Sequence, residues 1–334
     1  MKRISFVTLI ALCVAMYAGA VEDDDMIMGN YHGAFTGDAW ANHYIRAQVV
    51  ALSDTAHRMV LFIGESEEEA LRLETRGRGE EGVSEFEDTL DLGALGGLFD
   101  FTARIENETM TGMLREQRRR GGVEASFELK RVFIVPPNLG KAPPEGAVSL
   151  YDGTNIAQWE RWPLQWCQRG DGSMEVCGSN LKTIEEFGNG RYHVEFQTPF
   201  MPNARGQSRG NSGVYVLGRY EVQVLDSFGV EPEDGFCGGV YSLAAPIADA
   251  TLPPLQWQTF EIDFTAPVFD ENGAKIENAR IHAYHNGILI HDDVELESHT
   301  PGGVSNEEAP VGPLLLQDHG DRVRFRNIWF KPAE

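Results

Sequence analysis

Residues 219–225, RYEVQVL, contain the alternation of side chains that decides the fold of the C-terminal half of the chain. Successive side chains of a β-strand point to opposite faces. The apolar face of this segment carries Tyr220, Val222 and Val224. The polar face carries Arg219, Glu221 and Gln223. Because the apolar face must pack on another layer, the segment predicts one strand of a two-sheet sandwich with its polar side chains outside.

The same alternation recurs through residues 147–334. In residues 191–197, RYHVEFQ, it places Glu195 on the polar face. Further predicted strands are 213–217, 258–264, 279–285, 288–291, 311–316 and 323–330. Asn286-Gly287 lies between two apolar runs and predicts a tight hairpin. About a dozen strands with almost no helical periodicity predict an all-β sandwich of jelly-roll type. Solvated faces of ordinary antiparallel strands alternate in the same way, so the alternation alone does not identify a site.

The N-terminus has the features of a targeting segment. Lys2 and Arg3 precede an apolar stretch at residues 4–17, which is too short to span a bilayer, and a small-x-small cleavage site ends at Ala20. We expect residues 1–20 to be a signal peptide that is cleaved near Ala20. The mature protein is then periplasmic or extracellular, with no insertion in the membrane.

The remaining chain divides at a proline-rich segment. Residues 137–146 favour neither a helix nor a central strand, because proline fixes φ and removes a backbone donor. They predict a linker. Before it, residues 21–136 contain short alternating or apolar runs separated by charged or glycine-rich turns, which predicts a small antiparallel sheet or barrel. The runs are 43–52, 58–63, 71–75, 99–105, 109–114 and 126–134. Residues 147–334 form the predicted sandwich domain.

The charge of the chain excludes some classes of partner. The sequence has 51 acidic and 28 basic residues and a formal net charge of -23. Nucleic-acid backbones and anionic membranes are bound mainly by Lys and Arg, so we expect neither as a partner. Neutral or weakly charged substrates remain.

Three cysteines follow the predicted cleavage site: Cys167, Cys177 and Cys237. No pair has Cys-x-x-Cys spacing, which argues against a structural zinc. Residues 170–172, GDG, read as a hairpin turn that would place Cys167 opposite Cys177. After export the two thiols could form a disulfide. They could equally be two small buried apolar residues, and the sequence leaves both alternatives open.

Five segments of the C-terminal half resemble the motifs of one bacterial family. They are 148–155 (VSLYDGTN), 211–215 (NSGVY), 218–227 (GRYEVQVLDS), 312–320 (GPLLLQDHG) and 324–329 (RFRNIW). The family is that of the 3-keto-disaccharide hydrolases, also described as 3-keto-glycoside-1,2-lyases and 3-keto-2-hydroxy-glucal hydratases. Tyr151 stands where the family usually has Phe. The resemblance implies a concanavalin-like jelly roll and an enzyme that cleaves 3-keto-glycosides. It also implies that residues 21–136 are an accessory domain of the kind sometimes found before this one.

The implied reaction begins at the acidic C2–H next to the C3 ketone. A base removes this proton, the enolate collapses, and the C1 substituent leaves by β-elimination. Water can then add to the 2-hydroxy-3-keto-glucal, which gives net hydrolysis. Such an enzyme needs a base, an acid for the leaving oxygen and positive charge near the enolate oxygen.

The resemblance and the polar faces together give the candidate residues. The catalytic candidates are Glu195, Glu221 and His319. The candidates for substrate binding are Asn211, Arg219, Gln223, Asp226, Gln317 and Arg326. A divalent ion held by Glu, Asp or His could replace the arginines, and the sequence does not name its ligands. We expect the residues on polar faces, with His319, to converge on one concave face that binds a carbohydrate.

Three other functions fit parts of the pattern. A jelly roll is also the fold of many lectins, so a non-catalytic carbohydrate-binding protein is one alternative. A conventional glycoside hydrolase with Glu195 and Glu221 as its two carboxylates is another. A structural protein of the cell envelope is the third. The carboxylates and arginines on the polar faces favour an enzyme, because lectin sites depend more on aromatic platforms.

Overall fold

The computed structural model describes residues 26–80, 82–118, 121–160 and 166–333. The predicted signal peptide, residues 1–20, lies outside this part of the chain. The expected all-β class is confirmed: the helical segments in the described ranges are the short 3-10 turns Gly93–Leu95 and Gly206–Ser208. No helix within those ranges is long and apolar enough to cross a membrane.

The first eight strands form a closed antiparallel barrel in which β1 pairs with both β2 and β8. They are β1 (Gly29–Thr36), β2 (Tyr44–Ala51), β3 (Ala56–Gly64), β4 (Leu71–Glu80), β5 (Val83–Asp91), β6 (Leu98–Glu106), β7 (Thr109–Glu116) and β8 (Glu124–Val132). Alternate side chains fill the barrel, with Tyr31, Phe99, Phe101 and Phe127 fully or almost fully buried. The barrel therefore has a core of its own.

The later strands form two sheets packed on each other. The larger sheet has the order β10-β11-β22-β13-β16-β19-β20, with β9 also paired to β22. Its strands are β9 (Val148–Tyr151), β10 (Cys167–Gln168), β11 (Met174–Glu175), β13 (Gly190–Gln197), β16 (Gln258–Thr265), β19 (Ala279–His285), β20 (Ile288–Leu296) and β22 (Arg324–Pro332). The smaller sheet has the order β12-β21-β14-β15. Its strands are β12 (Leu181–Lys182), β14 (Ser212–Val216), β15 (Tyr220–Val224) and β21 (Leu315–Leu316). A separate pair consists of β17 (Val268–Phe269) and β18 (Lys275–Glu277).

The apolar faces predicted from alternation meet in the core of this sandwich. Tyr220, Val222 and Val224 of β15 share one buried cluster with Val194 and Phe196 of β13. The opposite faces of the two strands therefore lie on opposite outer sides of the sandwich. Side chains on the polar face of β13 therefore cannot share a site with those on the polar face of β15.

The hairpin predicted at Asn286-Gly287 joins β19 to β20, with His285 paired to Ile288. Both turn residues have positive φ, 54° and 79°, as a two-residue hairpin of this type requires. Pro137 of the proline-rich segment packs on Gly287, where a Cβ would lie 3.0 Å from the proline Cδ. The segment crosses the larger sheet here, and the division of the chain into domains stays a prediction.

The barrel and the sandwich share a buried contact. Phe228 packs with Met28, Val50 and Ala51 of the barrel. Next to this cluster, the Arg209 guanidinium donates hydrogen bonds to Asp226 Oδ2 at 2.6 Å and to the carbonyl of Ala51 at 3.0 Å. Both charged side chains are almost fully buried. The ion pair therefore ties a loop of the sandwich to the barrel.

The structure contains a disulfide between Cys167 and Cys177, whose Cα atoms are 6.0 Å apart. The predicted hairpin is formed by β10 and β11, but its register places Cys167 opposite Glu175 and not opposite Cys177, which lies two residues beyond β11. Of the two alternatives that the sequence leaves open, the structure has the bridged one. Cys237 is a free, buried cysteine, and burial raises the pKa of its thiol to about 12.

We predict that Arg209→Met lowers the free energy of unfolding by about 3–5 kcal/mol, because Asp226 is left as a buried charge without its partner. Adding Asp226→Leu should recover much of this loss, since both charges are then gone. Urea unfolding of the two variants and the wild type measures the effect. Equal losses in the single and double variants would contradict it.

Candidate active site

A polar patch lies on the outer face of the smaller sheet. It combines Gly213 and Tyr215 of β14 with Glu221 and Gln223 of β15. Tyr215 is paired with Glu221, and Gly213 with Gln223. Gln317, directly after β21, donates its backbone N–H to the carbonyl of Gly213. The sheet therefore brings together three predicted residues, Glu221, Gln223 and Gln317.

Glu221 is the buried carboxyl of this patch, with a relative exposure of 3%. Its carboxyl group lies over Gly213, where a Cβ would be only 2.9 Å from the Glu221 carboxyl carbon. Burial raises the pKa of Glu221 to about 7, against the opposing effect of the hydrogen bond from Tyr215. A carboxyl group that titrates near neutral pH can both accept and return a proton.

Tyr215 connects Glu221 to its surroundings. Its hydroxyl lies 2.8 Å from Glu221 Oε2 and 3.0 Å from the carbonyl oxygen of Pro301, and both are acceptors. It accepts a hydrogen bond from Gln317 Nε2 at 3.1 Å. Burial raises the pKa of Tyr215 above its usual value, so the hydroxyl keeps its proton at neutral pH.

Three side-chain amides around Glu221 present unused acceptor oxygens. Asn211 Oδ1, Gln223 Oε1 and Gln317 Oε1 are buried and have no hydrogen-bond partner within the described ranges. Gln207 holds two of these amides in place, since its Oε1 accepts from Asn211 Nδ2 at 3.0 Å and from Gln223 Nε2 at 3.1 Å. Buried acceptors without partners are costly, and the hydroxyl groups of a sugar would satisfy them.

His319 lies in the turn after Gln317, and its ring is exposed. The turn is fixed on both sides. Asp318 accepts a hydrogen bond from the backbone of Gly178 at 2.9 Å, and Asp321 accepts one from the backbone of Asn211 at 2.8 Å. His319 is therefore at the edge of the patch that contains Asn211 and Gln317.

The expected convergence of all the polar-face residues is wrong, because Glu195 and Arg326 lie on the other sheet. Glu195 faces away from the core on β13, on the opposite side of the sandwich from Glu221. It is fully buried by the proline-rich segment. Glu195 accepts hydrogen bonds from Gly140 N at 2.5 Å, Arg326 Nε at 2.7 Å and Asn327 Nδ2 at 2.7 Å.

These contacts explain why a glutamate is buried at position 195. Burial acts to raise the pKa of Glu195, but its hydrogen bonds with His193, Asn327, Arg326 and Gly140 lower it to about 2. The Arg326 guanidinium also lies over the ring of Trp257, 4.0 Å from its centre. Glu195 and Arg326 thus anchor the proline-rich segment on the larger sheet and do not reach the patch around Glu221.

Arg219 and Asp226 also differ from the expectation. Arg219 turns to the loop before β21, where it donates to the carbonyl oxygens of Glu307 and Leu217 at 2.5 and 2.8 Å. Asp226 is engaged in the buried ion pair with Arg209, and burial raises its pKa. Neither side chain lies beside Glu221, although both belong to the motif that contains it.

Sequence reasoning missed two members of the patch, Tyr215 and Gln207. The signal for Tyr215 is present in residues 211–215, NSGVY. Because side chains alternate along a strand, Gly213 and Tyr215 face away from the core residue Val214. They therefore lie on the same outer face of the sheet as Glu221. Gln207 lies in a 3-10 turn and has no comparable signal.

We searched the described residues for side chains that could hold a metal ion together. Within the described ranges, no three His, Cys, Asp or Glu side chains are grouped so as to hold one. The oxygen atoms around Glu221 come from amides and from Tyr215.

A broad trough of about 1100 Å³ lies elsewhere, on the barrel, and is lined by residues of β1 and of β3–β8. Its lining includes Arg76, Arg78, Glu85, Glu87 and Arg104. None of the predicted site residues lines it. We place the candidate active site at Glu221 instead, because a buried carboxyl group with a raised pKa and three unsatisfied amides marks a functional site more specifically than volume does.

The comparisons with known proteins match the C-terminal half of the chain, which contains Glu221. A family model described as "3-keto-alpha-glucoside-1,2-lyase-like domain" matches residues 146–331, and the chain belongs to this family of carbohydrate-active enzymes. A solved structure of a "putative glycosyl hydrolase" from Parabacteroides distasonis is 30% identical, covers 57% of this chain and 86% of its own, and has a TM-score of 0.53.

Two further structures from Parabacteroides distasonis carry the same description. One is 17% identical over 57% of this chain and 95% of its own, with a TM-score of 0.43. The other is 20% identical over 56% of this chain and 99% of its own, with a TM-score of 0.41. A comparison with curated proteins finds no match.

We predict that Glu195→Gln destabilises the protein in a pH-dependent way. The carboxyl has a pKa of about 2 in the folded protein and 4.5 when unperturbed. Its contribution to stability is therefore present above pH 4.5 and is lost as the pH falls through 2. Urea unfolding at several pH values measures the free energy of unfolding of the wild type and of Glu195→Gln. The difference between the two should become smaller as the pH falls from 4.5 to 2. A constant gap would contradict the anchoring role.

Proposed function

We propose that this protein is an exported enzyme that cleaves 3-keto-glycosides and that Glu221 removes the proton from C2 of the sugar. The observation that carries the proposal is the buried Glu221 carboxyl, whose pKa of about 7 suits a general base at neutral pH. Family membership supports the substrate class. The unsatisfied amide oxygens of Asn211, Gln223 and Gln317 are suited to hold sugar hydroxyls beside this base.

The reaction begins when the Glu221 carboxylate takes the C2 proton, which the C3 ketone has made acidic. The electron pair moves into an enolate, which then expels the C1 substituent. The leaving oxygen must receive a proton, and His319 at the edge of the patch is our candidate donor. Arg219 and Arg326 are engaged elsewhere. Gln317 Nε2 donates one of its two N–H groups to Tyr215, and the second is our candidate to stabilise the enolate oxygen.

Water can add to the 2-hydroxy-3-keto-glucal that elimination produces. In that step the protonated Glu221 can return its proton to C2 while water adds at C1 and gives up its own proton to the neutral His319. Both residues regain their starting protonation states, and the sum of both steps is hydrolysis. One residue then serves as base and as acid, which requires a pKa near the working pH. We therefore propose that the enzyme combines lyase and hydratase activity at one site.

A conventional glycoside hydrolase would need two carboxyl groups that flank the scissile bond, about 5–10 Å apart. The two acidic residues predicted for that role, Glu195 and Glu221, lie on opposite sides of the sandwich, and Glu195 is covered. This geometry favours elimination from a 3-keto substrate over direct hydrolysis. A lectin-like protein without turnover is the second candidate and is an outcome of the experiment below.

We predict that Glu221→Gln lowers kcat/KM for a 3-keto-glycoside by about 10²–10⁴-fold, because the amide cannot take the C2 proton. For the wild type, kcat/KM should rise with pH through about 7 as Glu221 ionises. Glu308→Gln is the matched control, since Glu308 also accepts a hydrogen bond from a buried tyrosine, Tyr220. It should keep wild-type turnover.

The assay compares 3-keto-glycosides with the matching unoxidised glycosides, with and without a chelator. Turnover of the keto forms alone is the expected result. Cleavage of the unoxidised forms would favour a conventional hydrolase. Binding of both forms without turnover would favour a lectin-like protein.

A separate prediction concerns His319→Ala. If His319 protonates the leaving oxygen, His319→Ala should turn over substrates with poor leaving groups about 10²-fold more slowly, or slower still. Substrates with an acidic phenol as leaving group need little protonation and should be affected much less. The free energy of unfolding should hardly change, since the ring is exposed. An equal effect on both substrates would remove His319 from this role.

We also propose that the enzyme is exported and has a jelly-roll fold. The charged and apolar N-terminal residues and the Cys167–Cys177 disulfide support export to an oxidising compartment, periplasmic or extracellular. The two packed antiparallel sheets support a sandwich of the concanavalin-like jelly-roll type. We propose a carbohydrate as the partner, and neither a nucleic acid nor a membrane.

A further inference from the structure

The Tyr215 hydroxyl has more hydrogen-bond partners than its single proton can serve at once. Glu221 Oε2 at 2.8 Å and the Pro301 carbonyl oxygen at 3.0 Å are both acceptors. Gln317 Nε2 is a donor, so it uses a lone pair of the hydroxyl oxygen. A phenolic hydroxyl donates one hydrogen bond and can accept others. Its proton therefore points either to Glu221 or to Pro301.

The protonation state of Glu221 decides between these two positions. When Glu221 is ionised, both of its oxygens are acceptors, and the Tyr215 proton is best placed toward Oε2. When Glu221 carries a proton, that proton needs an acceptor. The Tyr215 oxygen can accept it once its own proton turns to Pro301. The exchange needs only a rotation of the hydroxyl, and no heavy atom has to move.

The Pro301 carbonyl is held in place for this exchange. The Thr300 hydroxyl accepts a hydrogen bond from the backbone of Glu221 at 2.9 Å, and Thr300 N donates to the carbonyl of Arg219 at 2.9 Å. Gly302, with φ of +84°, follows directly, and a Cβ there would lie 2.8 Å from the Tyr215 oxygen. The loop therefore approaches Tyr215 as closely as a glycine permits.

We propose that Tyr215 is a positioning residue that keeps Glu221 hydrogen-bonded in both of its protonation states. The proposal rests on the proposed function, in which Glu221 first takes a proton and later returns it. A base without such a partner would lose its hydrogen bond, and with it its orientation, in one of the two steps. Within the described ranges, the titratable groups that act on this pair are the two residues themselves and Tyr241.

The test is Tyr215→Phe, with Tyr220→Phe as the matched control. Tyr220 is equally buried on the neighbouring strand and donates to Glu308 at 2.6 Å, away from the patch. The substitution removes a hydrogen bond from both protonation states of Glu221, but the bond to the charged carboxylate is the stronger of the two. The pKa of Glu221 should therefore rise by about one unit. The acid limb of the pH profile of kcat/KM should move up by the same amount. Tyr220→Phe should leave the limb unchanged.

A second measurement does not depend on turnover. Infrared titration of the substrate-free protein, with Glu221→Gln as the reference, gives the pKa of Glu221 directly. An unchanged pKa in Tyr215→Phe would overturn the proposal. A shifted pKa in a protein that does not turn over 3-keto-glycosides would instead retain the role of Tyr215 and refute the proposed function.

A measurement on the wild type covers the case in which Tyr215→Phe does not fold. With ¹³C-labelled tyrosine, the ring carbon that bears the Tyr215 hydroxyl should change its chemical shift with the same midpoint as the titration of Glu221, because the hydroxyl changes its acceptor there. A shift that is constant through this pH range would contradict the exchange.

Discussion

The missing side chain of Gly213 is the constraint on which the candidate active site depends. The Glu221 carboxyl occupies the space that a Cβ at this position would fill. Because the carboxyl lies flat on the sheet, it is buried, its pKa is raised, and it meets Tyr215 on the neighbouring strand. A larger residue at 213 would push the carboxyl toward solvent, where its pKa would return to that of an ordinary glutamate.

Glu195 and Glu221 illustrate how one sequence pattern leads to two different environments. Both lie on the polar face of an alternating strand, and both are buried. Glu195 is covered by the proline-rich segment and receives donors from three directions, which stabilise its ionised form. Among the residues that the structure describes, Tyr215 is the one side chain that donates to the Glu221 carboxyl, so desolvation dominates and the pKa rises. The balance between donors and desolvation thus separates an anchor from a base.

Local pattern predicted most strands, the Asn286-Gly287 hairpin and the polar outer face that contains Glu221. It missed β1 and β5 of the barrel. Strand β1 contains Gly29 and Gly33, which weaken the apolar alternation. The outer face of β5 is densely acidic, and its buried face carries only Phe86 and Leu90 as large apolar residues. The pattern also could not separate Glu195 from Glu221, because the segment that covers Glu195 lies 55 residues away in the chain.

In the proposed reaction, Glu221 breaks the C2–H bond of a 3-keto sugar. The most direct measurement compares the turnover of a 3-keto-glycoside carrying deuterium at C2 with that of the unlabelled compound. If Glu221 removes this hydrogen, the label slows the wild-type reaction by a primary isotope effect and is absent from the glucal product. If the label leaves the rate unchanged and the sugar is released without any glucal being formed, the C2–H bond is not broken, and Glu221 is not the base.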